Sequence, residues 1–75
     1  MSPLRWTPER MNRLEHATRK GMRVAVMRRG TEYIVTAVRM TSAGTKEAFV
    51  GHLPMTGEEL TFVLDDIDEF QVIDD

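Results

Sequence analysis

The apolar residues near the start of the chain recur at the spacing of a helix. Met11, Leu14 and Thr18 lie three or four positions apart, which brings them to one face. Thr7 before this run is a suitable N-cap, and Gly21 after it favours the left-handed conformation that ends many helices. The pattern predicts a helix over about residues 8–20. Because its apolar face is narrow, we expect this helix to pack on the rest of the chain.

After the helix, the apolar period changes to the alternation that is typical of strands. Runs rich in Val, Ile, Tyr, Phe and Thr predict five strands. They cover residues 22–28, 32–40, 47–53, 59–64 and 70–73. Arg29-Gly30 and residues 54–57 are turn signals, whereas residues 41–45 predict a mobile loop of small residues. The first two strands are close enough along the chain to form a hairpin.

Two local features add to this strand pattern. Gly51 weakens the third strand and predicts a bulge or a bend at that position. Before the last strand, Asp65-Asp66-Ile67 predicts one short turn in which an aspartate acts as the cap.

The inward positions of the helix and strands predict one shared core, with Tyr33 on an outer face of the sheet. The expected core residues are Trp6, Met11, Leu14, Val24, Ile34, Val38, Phe49, Leu60, Phe62, Ile67 and Val72. Five short strands bury their apolar faces only if the sheet bends, and closure also removes exposed edges. We therefore expect a mainly β fold with one N-terminal α-helix. It is a small five-stranded, SH3/Sm-like bent barrel, and the helix closes one open end.

Length and composition narrow the class of protein. The 75 residues form a single domain, residues 1–75 with the barrel in about 22–73, which is too small for a deep pocket within the monomer. The absence of cysteine excludes a disulfide framework, a thiolate zinc site and a cysteine nucleophile. No apolar stretch has the length of a membrane span or indicates a secretory signal. We expect a cytoplasmic protein without membrane contact.

Charge is distributed unevenly along the chain. Residues 1–30 carry a net charge of +6 and residues 31–75 carry −8, which leaves −2 overall. Such an asymmetry indicates a binding role rather than a particular fold.

The order of elements and the end of the chain resemble Sm-like bacterial regulators. The apolar strand that runs into Leu64-Asp65-Asp66-Ile67, before a short last strand, is similar to the ending of WYL domains, YolD-like proteins and Rof-type inhibitors of the Rho terminator. The likeness to Rof includes the leading helix and so covers most of the chain. No Trp-Tyr-Leu motif is present, and Asp66 follows Leu-Asp where a basic residue is common. The resemblance implies a small regulatory binding barrel, with transcription machinery as a target class.

Catalytic and metal chemistry find little support in the residues. His16 lies on the exposed side of the predicted helix and His52 lies beside a bend, and neither has a nucleophile and an orienting acid in a recognisable motif. The glycines are scattered as turn residues rather than grouped in a phosphate-binding loop. The acidic residues near the end lack the spacing of an EF-hand loop. We expect no enzyme, no metal site and no cofactor.

The acidic residues of the second half are the first candidates for a binding surface. A strip of carboxylates steers a basic protein partner, because complementary charge raises the association rate and the specificity. The expected strip consists of Glu58, Glu59, Asp65, Asp66, Asp68 and Glu69, extended by Asp74 and Asp75. The alternative is a solvated face that only keeps the protein soluble. The strip favours a non-enzymatic regulator that acts through protein–protein contact.

The basic residues of the first half give the alternative function, a nucleic-acid-binding module. Lys and Arg contact phosphates without regard to base sequence. The candidate residues are Arg10, Arg13, Arg19, Lys20, Arg23, Arg28 and Arg29. The isoelectric point of about 5.6 and the scarcity of aromatic residues for base stacking weigh against this function. Two other interpretations stay open: the basic helix docks on the acidic edge of its own barrel, or the two halves pair between copies in a homo-oligomer.

Overall fold

The fold begins with one capped helix in a computed structural model that describes residues 4–73. The helix, α1 (Pro8–Lys20), is preceded by Thr7, whose Oγ1 accepts a hydrogen bond from the backbone N–H of Arg10 at 3.2 Å. At the other end Gly21 has a φ of 65°, and its N–H donates to the carbonyl of Ala17. The predicted helix and both of its caps are confirmed.

Five antiparallel strands follow the helix, as predicted. They are β1 (Arg23–Arg28), β2 (Thr31–Ala43), β3 (Lys46–His52), β4 (Glu59–Val63) and β5 (Ile67–Val72). Arg29 and Gly30, with φ angles of 52° and 81°, form the two-residue turn of the predicted hairpin between β1 and β2. The strands pair in the order β4-β3-β2-β1-β5.

The sheet bends because a very short connection joins its two edge strands. β4 and β5 lie at opposite edges of the sheet, yet only the 3₁₀ turn Leu64–Asp66 separates them along the chain. The sheet must therefore curl until the two edges approach each other. The result is a bent, incompletely closed sheet that fits a small SH3/Sm-like fold, in agreement with the prediction.

Hydrogen bonds anchor both ends of α1, which packs mainly on β2. Leu14 and Ala17 of the helix are fully buried in the core. Before the helix, the indole N–H of Trp6 donates to the carbonyl of Leu64 at 2.9 Å. After the helix, the carbonyl of Met22 accepts a bond of 2.9 Å from the N–H of Ala37. The helix thus covers one side of the barrel.

The core uses the opposite face of β2 from the one predicted. Val35 and Ala37 are fully buried, whereas Ile34 is 42% exposed. Tyr33 lies on the inner face, where its ring centroid is 5.3 Å from that of Phe62. The predictions of Ile34 inside and Tyr33 outside are therefore wrong.

A bulge in β2 explains this error. The register with β3 shifts by one residue between Ala37 and Arg39, so Val38 is an extra, half-buried residue on β2. Beyond the bulge Met40 packs against the core, so the inward positions change from odd to even numbers. The prediction assumes that one inward–outward alternation of side chains continues along the whole of β2. Counted back in steps of two from Val38, that alternation places Ile34 inside, because it ignores the change of phase at the bulge.

Two predicted connections also differ from the structure. Residues 41–43 belong to β2, so the predicted mobile loop is wrong, and a tight turn at Gly44 and Thr45 joins β2 to β3. The 3₁₀ turn after Val63 has no side-chain cap, so the predicted aspartate cap is wrong as well. Asp65 instead lies beside Lys46 of β3, and Asp66 lies beside Arg29 of the turn between β1 and β2.

Gly51 lies where three strands approach one another most closely. A Cβ at this position would be 2.6 Å from Cγ2 of Val35 and 3.0 Å from Cε2 of Phe62. Glycine is therefore required by packing, since any larger residue meets the side chains of β2 and β4. The bulge predicted in β3 at Gly51 is not found there: Gly51 pairs with Ala37 and Leu60, and the extra residue lies on the neighbouring strand β2.

Candidate protein-binding face

The predicted acidic residues lie in two separate places. Glu58 and Glu59 are at the start of β4, whereas the other four follow its far end, on the 3₁₀ turn and in β5. The length of β4, five residues at about 3.3 Å each, separates the two groups. Asp74 and Asp75 lie outside the residues that the structure describes. The acidic residues therefore do not form one continuous strip over residues 4–73.

Three of the predicted carboxylates lie beside cations of the same chain. Lys46 Nζ is 3.7 Å from Asp65 Oδ2. Arg29 Nη2 is 3.4 Å from Asp66 Oδ2, and a third pair joins Arg39 to Glu59 at 3.7 Å. Solvent screens such pairs, so each contributes at most about 1 kcal/mol to stability. They reduce the negative potential that these carboxylates present to a partner.

The predicted basic residues are also divided between two regions. Arg10, Arg13, Arg19 and Lys20 lie on α1, and Arg23 follows it at the start of β1. Arg28 and Arg29 lie at the other end of β1, five residues or roughly 16 Å farther on. A nucleic-acid surface that joins all seven would have to span the full length of the strand.

Arg28 lies over the aromatic part of the core. Its guanidinium carbon is 4.8 Å from the ring centroid of Phe62 and 5.1 Å from that of Tyr33. Nη1 donates to the carbonyl of Thr61 at 3.4 Å, which connects β1 to the edge strand β4. This arginine thus bridges the open seam of the barrel, and its position favours a structural role.

The outer surface of β5, β1 and β2 is a regular array of nine side chains, which we call the outer face. Cross-strand pairing sets three rows, in which each residue lies opposite its neighbours. The rows are Glu69–Met27–Glu32, Gln71–Ala25–Ile34 and Ile73–Arg23–Thr36. The opposite surface of the same strands carries the buried residues Val24, Val26 and Val35.

The outer face is less exposed along its central strand, β1, than along the two flanking strands. Ala25 and Met27 on the central strand are half-buried, whereas Ile34, Gln71 and Glu69 on the flanking strands are exposed. Ile34 and Ile73 are two of the three large apolar residues that stand out as exposed among residues 4–73. Ala25 and Met27 line a shallow depression of about 370 Å³, with Glu32, Glu69 and Gln71 around it. We call this depression the trough.

The charge of the trough is concentrated at one end. Glu32 and Glu69 flank Met27 in the same row, one from each neighbouring strand. Within residues 4–73 neither carboxylate forms an ion pair. The outer face therefore combines an apolar centre with two exposed carboxylates at one end and Arg23 at the other, and its carboxylate end suits a protein partner carrying apolar and basic groups.

About half of the residues of the outer face can be predicted from the sequence. The alternation of β1 correctly places Arg23, Ala25 and Met27 on one side, and Glu69 is a predicted contact residue. Glu32 and Ile34 are missed, because the bulge reverses the apparent phase of β2. The signal that would have found Ile34 is the consecutive pair Ile34-Val35, since one of two adjacent apolar residues in a strand must face outwards.

Metal-binding geometry is not assembled within the described part of the chain. No three His, Asp or Glu side chains among residues 4–73 converge as metal ligands would. His16 is exposed on α1, and His52 lies in β3, paired with Thr36 and Glu59. No helix among these residues has both the length and the apolar character needed to cross a membrane.

Comparisons with protein-family models, curated protein sequences and solved structures give no match for this chain. The resemblance to Sm-like and Rof-type regulators therefore stays a prediction, and function rests on the residues themselves.

Proposed function

We propose that this protein is a small non-enzymatic binding module that acts by contact with another protein. The observation that supports it is the outer face, where exposed Ile34 adjoins half-buried Ala25 and Met27 while the reverse side of the strands fills the core. An apolar patch with a polar rim is the usual composition of a protein interface. Of the predicted acidic contacts, Glu69 belongs to this face.

The remaining predicted contacts form a second, weaker part of the proposal. Asp65, Asp66 and Asp68 lie just before Glu69 in the chain, the first two on the 3₁₀ turn and Asp68 at a register shift between β5 and β1. Because Asp65 and Asp66 lie beside Lys46 and Arg29, their contribution is to steering and not to the centre of the contact. A component of the transcription machinery is the partner class implied by the resemblance to Rof, and it stays a prediction.

The test compares two exposed apolar residues, of which only Ile34 lies on the outer face. We expect Ile34→Asp to lower recovery of the partner from native lysate at least tenfold, because a charge replaces an exposed apolar residue within the contact. Met55→Asp is the matched control, since Met55 is 96% exposed on the turn before β4, away from the outer face. Quantitative mass spectrometry of proteins captured by the three forms is the measurement. Equal recovery by all three would remove the outer face as the binding site.

The nucleic-acid alternative is supported by the exposed basic residues of α1. Arg13, Arg19 and Lys20 are exposed, and Arg10 is half-buried. These four residues are the ones available for phosphate contacts in the alternative function. Arg28 and Arg29 contribute less to it, because they have partners within the fold.

A salt titration separates the two functions. We expect no binding to mixed-sequence duplex DNA or single-stranded RNA at about 50 mM salt, where phosphate contacts are strong. Fluorescence anisotropy of labelled nucleic acid is the measurement. Binding that weakens steeply with salt, and that disappears when Arg10, Arg13 and Lys20 are changed to Glu, would instead establish the alternative.

A further inference from the structure

We propose that the trough on the outer face receives an arginine side chain of the partner protein. In this arrangement the aliphatic part of the arginine lies on Ala25 and Met27, and its guanidinium lies between Glu32 and Glu69. The inference rests on the proposed function, because it names the partner chemistry that the same face recognises.

The spacing of the two carboxylates fits a group that binds on two sides. Glu32 and Glu69 occupy the strands on either side of β1 and lie in one row with Met27. Two strand spacings separate their Cα atoms, which is about 9–10 Å. Both glutamates line the depression above Met27, so a planar cation that lies in it can meet a carboxylate from each side.

The floor of the trough fits the aliphatic part of the same side chain. Ala25 is small and leaves space above β1, and Met27 beside it offers a flexible thioether surface. Long basic side chains commonly lay their methylene groups on apolar surface and keep the charged end at its edge. In the trough, Ala25 and Met27 form the apolar floor, and the two glutamates lie on either side of Met27. An arginine whose methylene groups lie on this floor would place its charged end between the glutamates.

An arginine of the same chain lines the trough but is engaged elsewhere. Arg10 lies at its border together with Leu4, and Arg10 Nη1 donates to the carbonyl of Arg5 at 2.7 Å. The ion pairs within residues 4–73 involve neither Glu32 nor Glu69. Two exposed carboxylates therefore line one depression without an ion-pair partner among residues 4–73, although Arg10 lies at its border, and an external cation is the complement.

Arginine fits this arrangement better than lysine. The guanidinium is planar and carries five N–H donors in fixed directions, so it can donate to carboxylates on opposite sides at once. The lysine ammonium is a compact and strongly hydrated charge. When it forms a close ion pair with one carboxylate, it lies farther from the other. We therefore expect a preference for arginine over lysine of at least threefold in affinity.

The test uses a capped peptide, acetyl-Ala-Leu-Arg-Leu-Ala-amide, and backbone amide NMR of the whole protein. We expect its largest shift changes at Ala25, Met27, Glu32 and Glu69, with a dissociation constant in the millimolar range or somewhat below. The same peptide with citrulline, a neutral analogue of arginine, should bind at least fivefold more weakly. The lysine peptide should fall between them. Shift changes confined to α1, or equal binding of the arginine and citrulline peptides, would overturn the inference.

Protein variants provide the matching control. Glu32→Gln combined with Glu69→Gln should weaken the arginine peptide at least fivefold, because both carboxylate charges are removed at exposed positions. Glu9→Gln combined with Glu47→Gln changes the net charge equally at exposed sites outside the outer face and outside the predicted acidic strip, and it should leave binding unchanged. If both double variants weakened binding of the arginine peptide equally, the attraction would be nonspecific electrostatics, and the inference would be wrong.

The two proposals fail in different ways. If Ile34→Asp loses the captured partner while the arginine and citrulline peptides bind alike, the outer face is a binding surface but the arginine site is wrong. If the peptide binds in the trough and partner capture is unaffected by Ile34→Asp, the site for arginine stands and the proposed protein contact does not.

Discussion

Phe62→Ala is expected to remove most of the stability of this domain. Loss of a buried phenylalanine side chain costs about 3–5 kcal/mol in the free energy of unfolding, because contacts are lost and a cavity is left. A domain of this length has a total stability of roughly 4–11 kcal/mol. A substantial unfolded fraction at ambient temperature is therefore the expected result.

The position of Phe62 in the barrel supports the upper part of this range. Its ring is fully buried and stacks on that of Phe49 at a centroid separation of 5.2 Å. The edge of Tyr33 meets it from β2, and the guanidinium of Arg28 lies over it from β1. Four strands thus meet at one ring, so its removal weakens contacts that span most of the sheet.

Chemical denaturation followed by fluorescence of the single tryptophan, Trp6, measures the effect. The control is Phe62→Leu, which keeps most of the apolar volume and should cost about 1.5 kcal/mol or less. An unfolding midpoint for the alanine variant close to that of the leucine variant would contradict the central role of the ring. Arg28→Ala is a useful addition, since it leaves the ring in place and tests only the bridge across the seam.

The parts of the fold that the sequence predicts well are those with local physical causes. Thr7 and Gly21 specify the ends of α1 by capping, and neither end depends on distant contacts. Gly30 likewise favours a hairpin turn because glycine adopts the left-handed conformation freely, whereas Arg29 is held in that conformation by the turn. A bent barrel then follows from the number of strands and the short connections between them.

The wrong predictions for β2 and for the acidic residues have a non-local cause. The same cause explains why only part of the candidate site could be predicted from the sequence. The bulge at Val38 is a property of the pairing of β2 with β3, so it leaves little trace in either strand alone. Its effect reaches Ile34, which the change of phase places on the outer face. The ion pairs of Asp65 and Asp66 are equally hidden, because their partners are distant along the chain.

Gly51→Ala is the second substitution for which we expect a large effect, although it adds only one methyl group. The new Cβ would be 2.6 Å from Cγ2 of Val35 and 3.0 Å from Cε2 of Phe62, distances at which neighbouring atoms must move. Overpacking of this kind costs about 1–3 kcal/mol. Each kcal/mol lowers the melting temperature by about 4–8 °C in a domain of this size, which thermal unfolding measures directly.

A double-mutant cycle with Val35→Ala distinguishes this steric cause from a general loss of strand flexibility. Val35→Ala alone should destabilise the core by roughly 2 kcal/mol through lost burial and a small cavity. In the double variant the new methyl group at position 51 occupies the space that Val35 vacates. The combined loss should therefore be smaller than the sum of the two single losses by at least about 1 kcal/mol. Additivity within about 0.5 kcal/mol would show that contact with Val35 is not the reason for glycine at this position.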